Sequence, residues 1–349
     1  MSDAADDAAR LRRMVSGYMV SQVIAVAAAL GLADLMAQQA AGIDDLARDT
    51  GTHRPSLARL LRALVALGLA EEPEAGSFRM TPLGARLRTG VPGSMRNVAL
   101  THGSEPYWRA WGDLLHAVRT GDAAFEHAFG ISSFAYLGEM PERAAAFDAY
   151  MADVTRQAIP AILAAHDFSR HRRIVDVGGG NGVLLGAILA AAPGAQGVVF
   201  DTPAGIAGAR RRLEEAGVAQ RCDIVAGDVF AAVPEGADAY LLKSILHDWD
   251  DARAAAILAN CARAMRPGSV LLVVERLLPE RIACRPDHAD AAMMDLHMLV
   301  MPGGRERTAA EYAALLAAAG LRLLAVRPAP PLAVLEAARA DAEGPSAGG

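Results

Sequence analysis

Three groups of residues in this chain could do chemistry: a glycine loop, acids recurring at intervals behind it, and a histidine set among carboxylates. Residues 172–201 read RRIVDVGGGNGVLLGAILAAAPGAQGVVFD. Glycines at 178, 180 and 182 let backbone approach a ligand closely, and a following helix offers N–H groups to an anionic part of it. Asp201, closing the next apolar run, is placed to bind two ribose hydroxyls. A strand, a glycine turn, a helix and a second strand ending in an acid make a nucleoside pocket. The spacing is G-x-G-x-G rather than the dinucleotide G-x-G-x-x-G, which weakens a nicotinamide reading.

Those residues need elements to hold them. From residue 172 onward strand and helix patterns alternate, with strands expected at 173–177, 197–201, 221–226, 238–243, 269–276, 321–327 and 332–336. Helices are expected at 183–192, 203–216, 250–266, about 287–300 and 308–319. That alternation predicts a doubly wound, mostly parallel α/β sheet of seven strands. Only Pro328-Ala329-Pro330-Pro331 joins the last two strands, too short for a crossover helix, so they pair antiparallel or diverge. A parallel sheet with a reversed last strand suits a methyltransferase better than a dinucleotide enzyme. Ligands in such sheets bind beyond the carboxyl ends of the strands. Those ends carry the glycine loop, Asp201, Gly227-Asp228-Val229-Phe230, the run from Lys243 to Trp249 containing His247, and Glu275-Arg276. Any one could be a solvated loop; their recurrence on one rim makes the site.

The remainder of the chain is helical. Residues 1–9 read as a loose end, and residues 11–37 have helical apolar spacing too rich in alanine to face water. Asp44-Asp45 open a short helix, Thr52 or Pro55 a second one running to Leu67, and residues 69–71 and 77–80 read as two strands. Helix, turn, helix and wing together read as a winged helix, usable for DNA binding or for self-association. Its basic residues are few, Arg54, Arg59 and Arg62, beside Asp44, Asp45 and Asp49, which disfavours DNA. Residues 94–168 form a helical connector holding most of the aromatics, among them Trp108 and Phe147. The expected domains are therefore 1–93, 94–168 and 169–349. The final DAEGPSAGG reads as disordered.

A chain of 349 residues with 53% hydrophobic content can bury ample core. No apolar run reaches the ~18–20 residues of a membrane span, and the N-terminus lacks a signal peptide's order of charge. A net charge of −6 argues against a dominant nucleic-acid footprint. Cys222, Cys261 and Cys284 lack metal spacing, so a reduced, cytoplasmic protein is the expectation.

DVGGGNG, GDVF, LLKSILHDWDD, VVERLLPE and PGGRERT together resemble the metal-independent, S-adenosylmethionine-dependent O-methyltransferases, both plant caffeate and flavonoid enzymes and bacterial polyketide-tailoring ones. The resemblance covers nearly the whole chain, that family also carrying an N-terminal winged-helix dimerisation domain and a helical linker. It implies a homodimer with a Rossmann-like catalytic domain. It also implies that Gly178 approaches the methionine part of the cofactor, Asp201 holds the ribose, Asp228 and Val229 flank the adenine, and Lys243 completes the pocket. His247 becomes the general base, bracketed by Glu275 and Glu306. Phe147, Met151, Trp108, Met294, His297, Met298 and Met301 become the wall of an aromatic acceptor pocket, although near-helical methionine spacing also suits plain core.

The chemistry agrees with that reading. Methyl transfer from a sulfonium is an in-line displacement, and the attacking oxygen must lose its proton as the bond forms. A phenol has a pKa of about 10 and imidazole about 6.5, so a neutral histidine is expected to act as base near neutral pH. No metal is required, and none of the nine histidines has metal spacing with the carboxylates. Two other readings stay open: a relative of these enzymes performing hydroxylation or decarboxylation, which is expected to lack a base at position 247, and a winged-helix regulator sensing a nucleoside-like ligand.

Overall fold

The computed structural model describes residues 2–340; the terminal DAEGPSAGG lies outside them. The chain forms two compact units divided between Arg109 and Ala110, so the connector 94–168 is shared between them.

The first unit is a helical layer with a small wing. Helices Ser2–Val15, Gly17–Ala29 and Leu32–Leu35 are followed by Ile43–Asp49 and Arg54–Ala66, then by antiparallel strands Ala70–Glu74 and Ser77–Met80. The first residues are therefore helix, not a loose end. Alanine-rich sequence with Arg12 and Arg13 in the last turn suits the helix dipole. Leu57, Leu61 and Leu64, spaced at helical intervals, are buried against Leu32, Leu46 and Phe78. Arg54 is paired with Asp44 and Arg48 with Asp45, which spends part of the basic charge that a DNA-binding helix would need. Leu11, Met14, Val15, Tyr18 and Met19 remain exposed on the first two helices.

The second unit is built around the sheet. Its strands are β1 (Arg173–Val177), β2 (Gln196–Asp201), β3 (Cys222–Ala226), β4 (Ala239–Lys243), β5 (Val270–Glu275), β6 (Leu321–Ala329) and β7 (Leu332–Arg339). Their order is β6-β7-β5-β4-β1-β2-β3, with β7 antiparallel to both neighbours and the other pairs parallel. β6 runs on through Pro328 and Ala329, leaving only Pro330-Pro331 as the turn. β4 and β5 are buried apart from Lys243, which half emerges at its strand's end. They read as continuous apolar runs because helices cover both faces. The helix expected at 203–216 spans only Ala209–Glu215. Gly205 lies so close to the Asp201 carboxylate that a Cβ there would sit 2.5 Å from it, so residues 202–208 form a tight turn instead. Among the described residues no helix is long and apolar enough to cross a membrane.

Helix Pro141–Ala165 enters the sheet through the short turn Phe168–Arg170, which is flanked by a buried histidine pair. His166 and His171 place their Nε2 atoms 2.8 Å apart, so one ring donates a proton that the other accepts. His166 Nδ1 lies 3.6 Å from Glu336, itself paired with Arg327. Burial and the neighbouring His171 push His166 down to about 4 against the pull of Glu336. Burial and Arg170 lower His171, opposed by Asp238, Glu336 and Asp167. A histidine held below its unfolded value stabilises the fold above about pH 6.5 and loses that contribution as pH falls toward 4. The melting temperature is therefore expected to drop across that window more steeply in the native protein than in His166→Gln. Equal slopes would refute it.

Candidate active site

The glycine loop leaves β1 with Gly178, Gly180 and Gly182 all at positive φ. A Cβ on Gly178 would lie 2.4 Å from the Ile245 side chain, so the loop and the segment after β4 are in direct contact. The amides of Gly178 and Gly179 donate to the Phe200 carbonyl at 2.8 and 3.2 Å, and Gly180 N–H donates to Asp201 Oδ2 at 2.8 Å. These amides thus shape the loop rather than wait for a ligand. Asp201 Oδ1 accepts from Thr202 N–H, and a carboxylate with one partner on each oxygen keeps lone pairs for a diol.

Asp228 turns the next strand end by accepting from Phe230 N–H at 2.9 Å, and Asn260 Nδ2 donates to the Val229 carbonyl at 2.6 Å. Lys243, the only lysine in the chain, donates to Thr155 Oγ1 at 3.1 Å. Burial pulls its ammonium below the usual value while Glu275, Asp176 and Asp248 pull the other way. Asp176, two residues before the first glycine, is 2% exposed. Burial pushes it up to about 7, with Asp201 adding to the rise and Lys243 opposing it. A glycine turn with room beside Gly180, an acid with lone pairs left for a diol and a turn held by Asp228 fit an adenosyl cofactor carrying positive charge.

β4 ends at Lys243, and the chain turns at once through Ser244, the only non-glycine residue at positive φ among those described (φ 55°). Ile245 and Leu246 N–H both donate to Glu275 Oε1, at 3.0 and 2.9 Å. This brings His247 over two fully buried carboxylates. Its Nδ1 is 3.1 Å from Glu306 Oε1 and 3.5 Å from Glu275 Oε2, and Nε2 is 3.6 Å from Asp248 Oδ1. Burial opposes a charge on the ring, but Glu275, Asp248 and Glu306 together outweigh it and push the imidazole up to about 10. Burial pushes Glu275 up to about 7 against the pull of His247. Against the neutral histidine expected from the sequence, the surrounding carboxylates thus favour a protonated ring. Nitrogen and oxygen atoms of His247, Glu275 and Glu306 lie within 4.8 Å of one another, a convergence that their spacing along the chain does not announce.

The turn before Glu306 is pressed against this loop. A Cβ on Gly304 would lie 2.0 Å from the His247 carbonyl oxygen, and Arg305 N–H donates to that same oxygen at 2.8 Å. Asp295, one turn before Met298 and Leu299 on helix Pro286–Val300, accepts from Glu306 N–H at 2.9 Å.

The residues expected to wall an acceptor pocket fall on three elements. Phe147 and Met151 share helix Pro141–Ala165 and are half-buried. Met294, His297 and Met298 lie on helix Pro286–Val300 and Met301 closes it, with His297, Met298 and Met301 buried. Trp111, which the sequence reading did not single out, donates from its indole N–H to His297 Nδ1 at 3.1 Å. Trp108 belongs to the first unit, where its ring meets Tyr18 edge-on. Thr155, Asp176 and Asp248 are not among the site residues that the sequence suggests, and Trp111 stands there only as one of the connector's aromatics. Asp176 is marked as an acid inside an apolar strand and Asp248 as the neighbour of His247; Thr155 carries no local signal.

A family model for the O-methyltransferase domain matches residues 111–322, and one for the O-methyltransferase dimerisation domain matches residues 13–90. The phenazine O-methyltransferase PhzM of Lysobacter antibioticus is 46% identical over 328 residues, covering 94% of this chain and 95% of that protein. The O-demethylpuromycin-O-methyltransferase of Streptomyces alboniger is 43% identical, covering 94% and 88%. The crystal structure of the O-methyltransferase NcsB1 from neocarzinostatin biosynthesis, in complex with S-adenosylmethionine and 2-hydroxy-5-methyl naphthoic acid, superposes with a TM-score of 0.79 at 34% identity, covering 92% of this chain and 96% of that one. With both of its regions matched in order, this chain belongs to the S-adenosylmethionine-dependent O-methyltransferases.

Proposed function

We propose that the protein methylates a phenolic hydroxyl of an aromatic natural product, with His247 as general base and Glu275 and Glu306 orienting its ring. The observation that carries this is the imidazole just after β4, its Nδ1 turned to two buried carboxylates, two residues beyond Ile245, which packs on the glycine loop. Nδ1 is engaged by the glutamates, which leaves Nε2, beyond hydrogen-bonding distance of Asp248 Oδ1 at 3.6 Å, to face the reacting hydroxyl. S-adenosylmethionine, when bound, supplies a methyl group on positively charged sulfur. The chain's own part is to place the acceptor oxygen and take its proton at Nε2 while the carboxylates stabilise the imidazolium that results. Relatives that act on phenazines, O-demethylpuromycin and naphthoates support a flat acceptor. Residues 13–90, matched by the dimerisation model, and the apolar stripe of Leu11, Met14, Val15, Tyr18 and Met19 support a homodimer through the first unit.

The test is incubation with labelled S-adenosylmethionine and a panel of phenolic aromatics, with mass detection of the methyl ether. Absence of transfer to every hydroxylated member, with transfer to amines instead, would sink the reading. The raised imidazole also makes a pH prediction. The base works only after losing its resting proton, so kcat/KM is expected to climb steadily from pH 6 to 9. A histidine near its ordinary value of about 6.5 would instead level off just above neutrality.

A further inference from the structure

Arg307 is 1% exposed and is the largest of the fully buried side chains. Burying a guanidinium is costly unless its donors are all placed, and here they are placed around the catalytic loop. Nη1 donates to the Leu246 carbonyl at 2.9 Å and Nη2 to the Trp249 carbonyl at 2.8 Å. Nε and Nη2 both donate to Asp251 Oδ1, at 2.9 and 2.8 Å. The two carbonyls are the ones on either side of the His247-Asp248 pair, so one planar fork spans the residues that present the imidazole.

The backbone around Arg307 is fixed as well. Residues Leu277–Leu278 and Arg307–Thr308 form a two-residue parallel ladder, with Arg307 opposite Leu277. Glu275 stands two residues before one strand of that ladder and Glu306 one residue before the other. The ladder therefore sets the separation of the two carboxylates, and the guanidinium sets where the imidazole lies relative to them. Both meet at Arg307.

We propose that Arg307 is a positioning residue for the reaction: its guanidinium holds the 246–249 loop so that His247 Nδ1 stays on Glu306 and Glu275. Arg307 touches neither acceptor nor cofactor, and it acts through the backbone carbonyls at 246 and 249. Its partner Asp251 is largely exposed, so the ion pair itself is solvent-screened and contributes little; the carbonyl contacts are the functional ones. The proposal rests on His247 being the base, and the imidazole is also read without turnover so that the two can fail separately.

The experiment uses the full-length protein with Arg307→Met, Arg307→Lys and Asp251→Asn. Each is measured for thermal unfolding, cofactor affinity, kcat and acceptor KM, and for the His247 imidazole titration by NMR on histidine-labelled protein without cofactor. The charged groups facing the ring are Glu275, Glu306 and Asp248, with Lys243 nearby, and none of them is altered. In Arg307→Met the imidazole titration is expected to fall toward the ordinary histidine range and kcat to drop by about tenfold or more, since a small misplacement of a catalytic group has effects of that size. Cofactor affinity and acceptor KM stay near native. Asp251→Asn leaves the titration where it was. Should Arg307→Met not fold, Arg307→Lys, which keeps the charge but lacks the fork, is expected to show a smaller shift in the same direction. An unmoved titration with native kcat per folded molecule in a folded Arg307 variant overturns the proposal, whatever the change in melting temperature. His247→Ala tests the base assignment on its own.

Discussion

Replacing His247 by alanine is expected to lower turnover by ~10²–10⁴-fold, the usual contribution of a positioned general base, while S-adenosylmethionine affinity stays essentially native. The split follows from where the ring sits. The residues proposed to shape the cofactor side are the glycine loop, Asp201, Asp228 and Lys243, and their hydrogen bonds run to Phe200, Thr202, Phe230 and Thr155 rather than to His247. The ring's own partners are Glu306, Glu275 and Asp248. Removing the protonated ring leaves two fully buried carboxylates without their cation, and Glu275, which burial already pushes up to about 7, answers by taking up a proton. Isothermal titration for the cofactor and single-turnover methylation separate the two effects. Native turnover in the alanine variant would remove His247 from the mechanism.

Gly304→Ala is expected to have an effect of similar size by a different route. The added Cβ would stand 2.0 Å from the His247 carbonyl oxygen and 2.5 Å from the Asp248 carbonyl carbon. Both are backbone atoms that cannot swing aside, so the turn must move by an ångström or more. Glu306 is two residues further on and moves with it, taking the carboxylate off Nδ1. A displacement of about 1 Å at a catalytic group costs on the order of 10²-fold in rate, and overpacking adds about 1–3 kcal/mol of destabilisation. Activity normalised to folded protein, with melting temperature measured alongside, distinguishes the two. If normalised activity stays native, the turn is not what places Glu306.

Much of this site was legible along the chain because its parts sit at strand ends, and strand ends are marked locally. A β-branched run followed by glycines predicts β1 and its loop; apolar runs ending in Asp201, Glu275 or Lys243 predict β2, β5 and β4 within a residue or so. The helix after β2 was misread because the deciding contact, Gly205 against the Asp201 carboxylate, is between a glycine and an acid that no periodicity links. The first turn of the chain was misread as loose because polar residues there resemble a tail, whereas alanine and arginine at helical spacing carry a helix.

The protonation of His247 was only partly within reach of the sequence. His247 in HDWDD has Asp248 beside it, but its raised proton affinity also needs Glu275 and Glu306, 28 and 59 positions away. The same holds for the pair His166 and His171, close in sequence but joined through nitrogen because the chain between them turns, with His166 Nδ1 also facing Glu336 from the last strand.

Local sequence determined the elements, the reversed last strand and the identity of the residues at the sheet's rim, because strand, turn and helix follow from side-chain periods and from glycine and proline within a few residues. Tertiary structure alone decided that Glu275 and Glu306 converge on one imidazole, that Arg307 grips the loop presenting it, and that distant buried carboxylates raise the ring's proton affinity. Those properties depend on strand order and burial, which bring distant residues together in a low-dielectric interior where a few ångströms decide the charge.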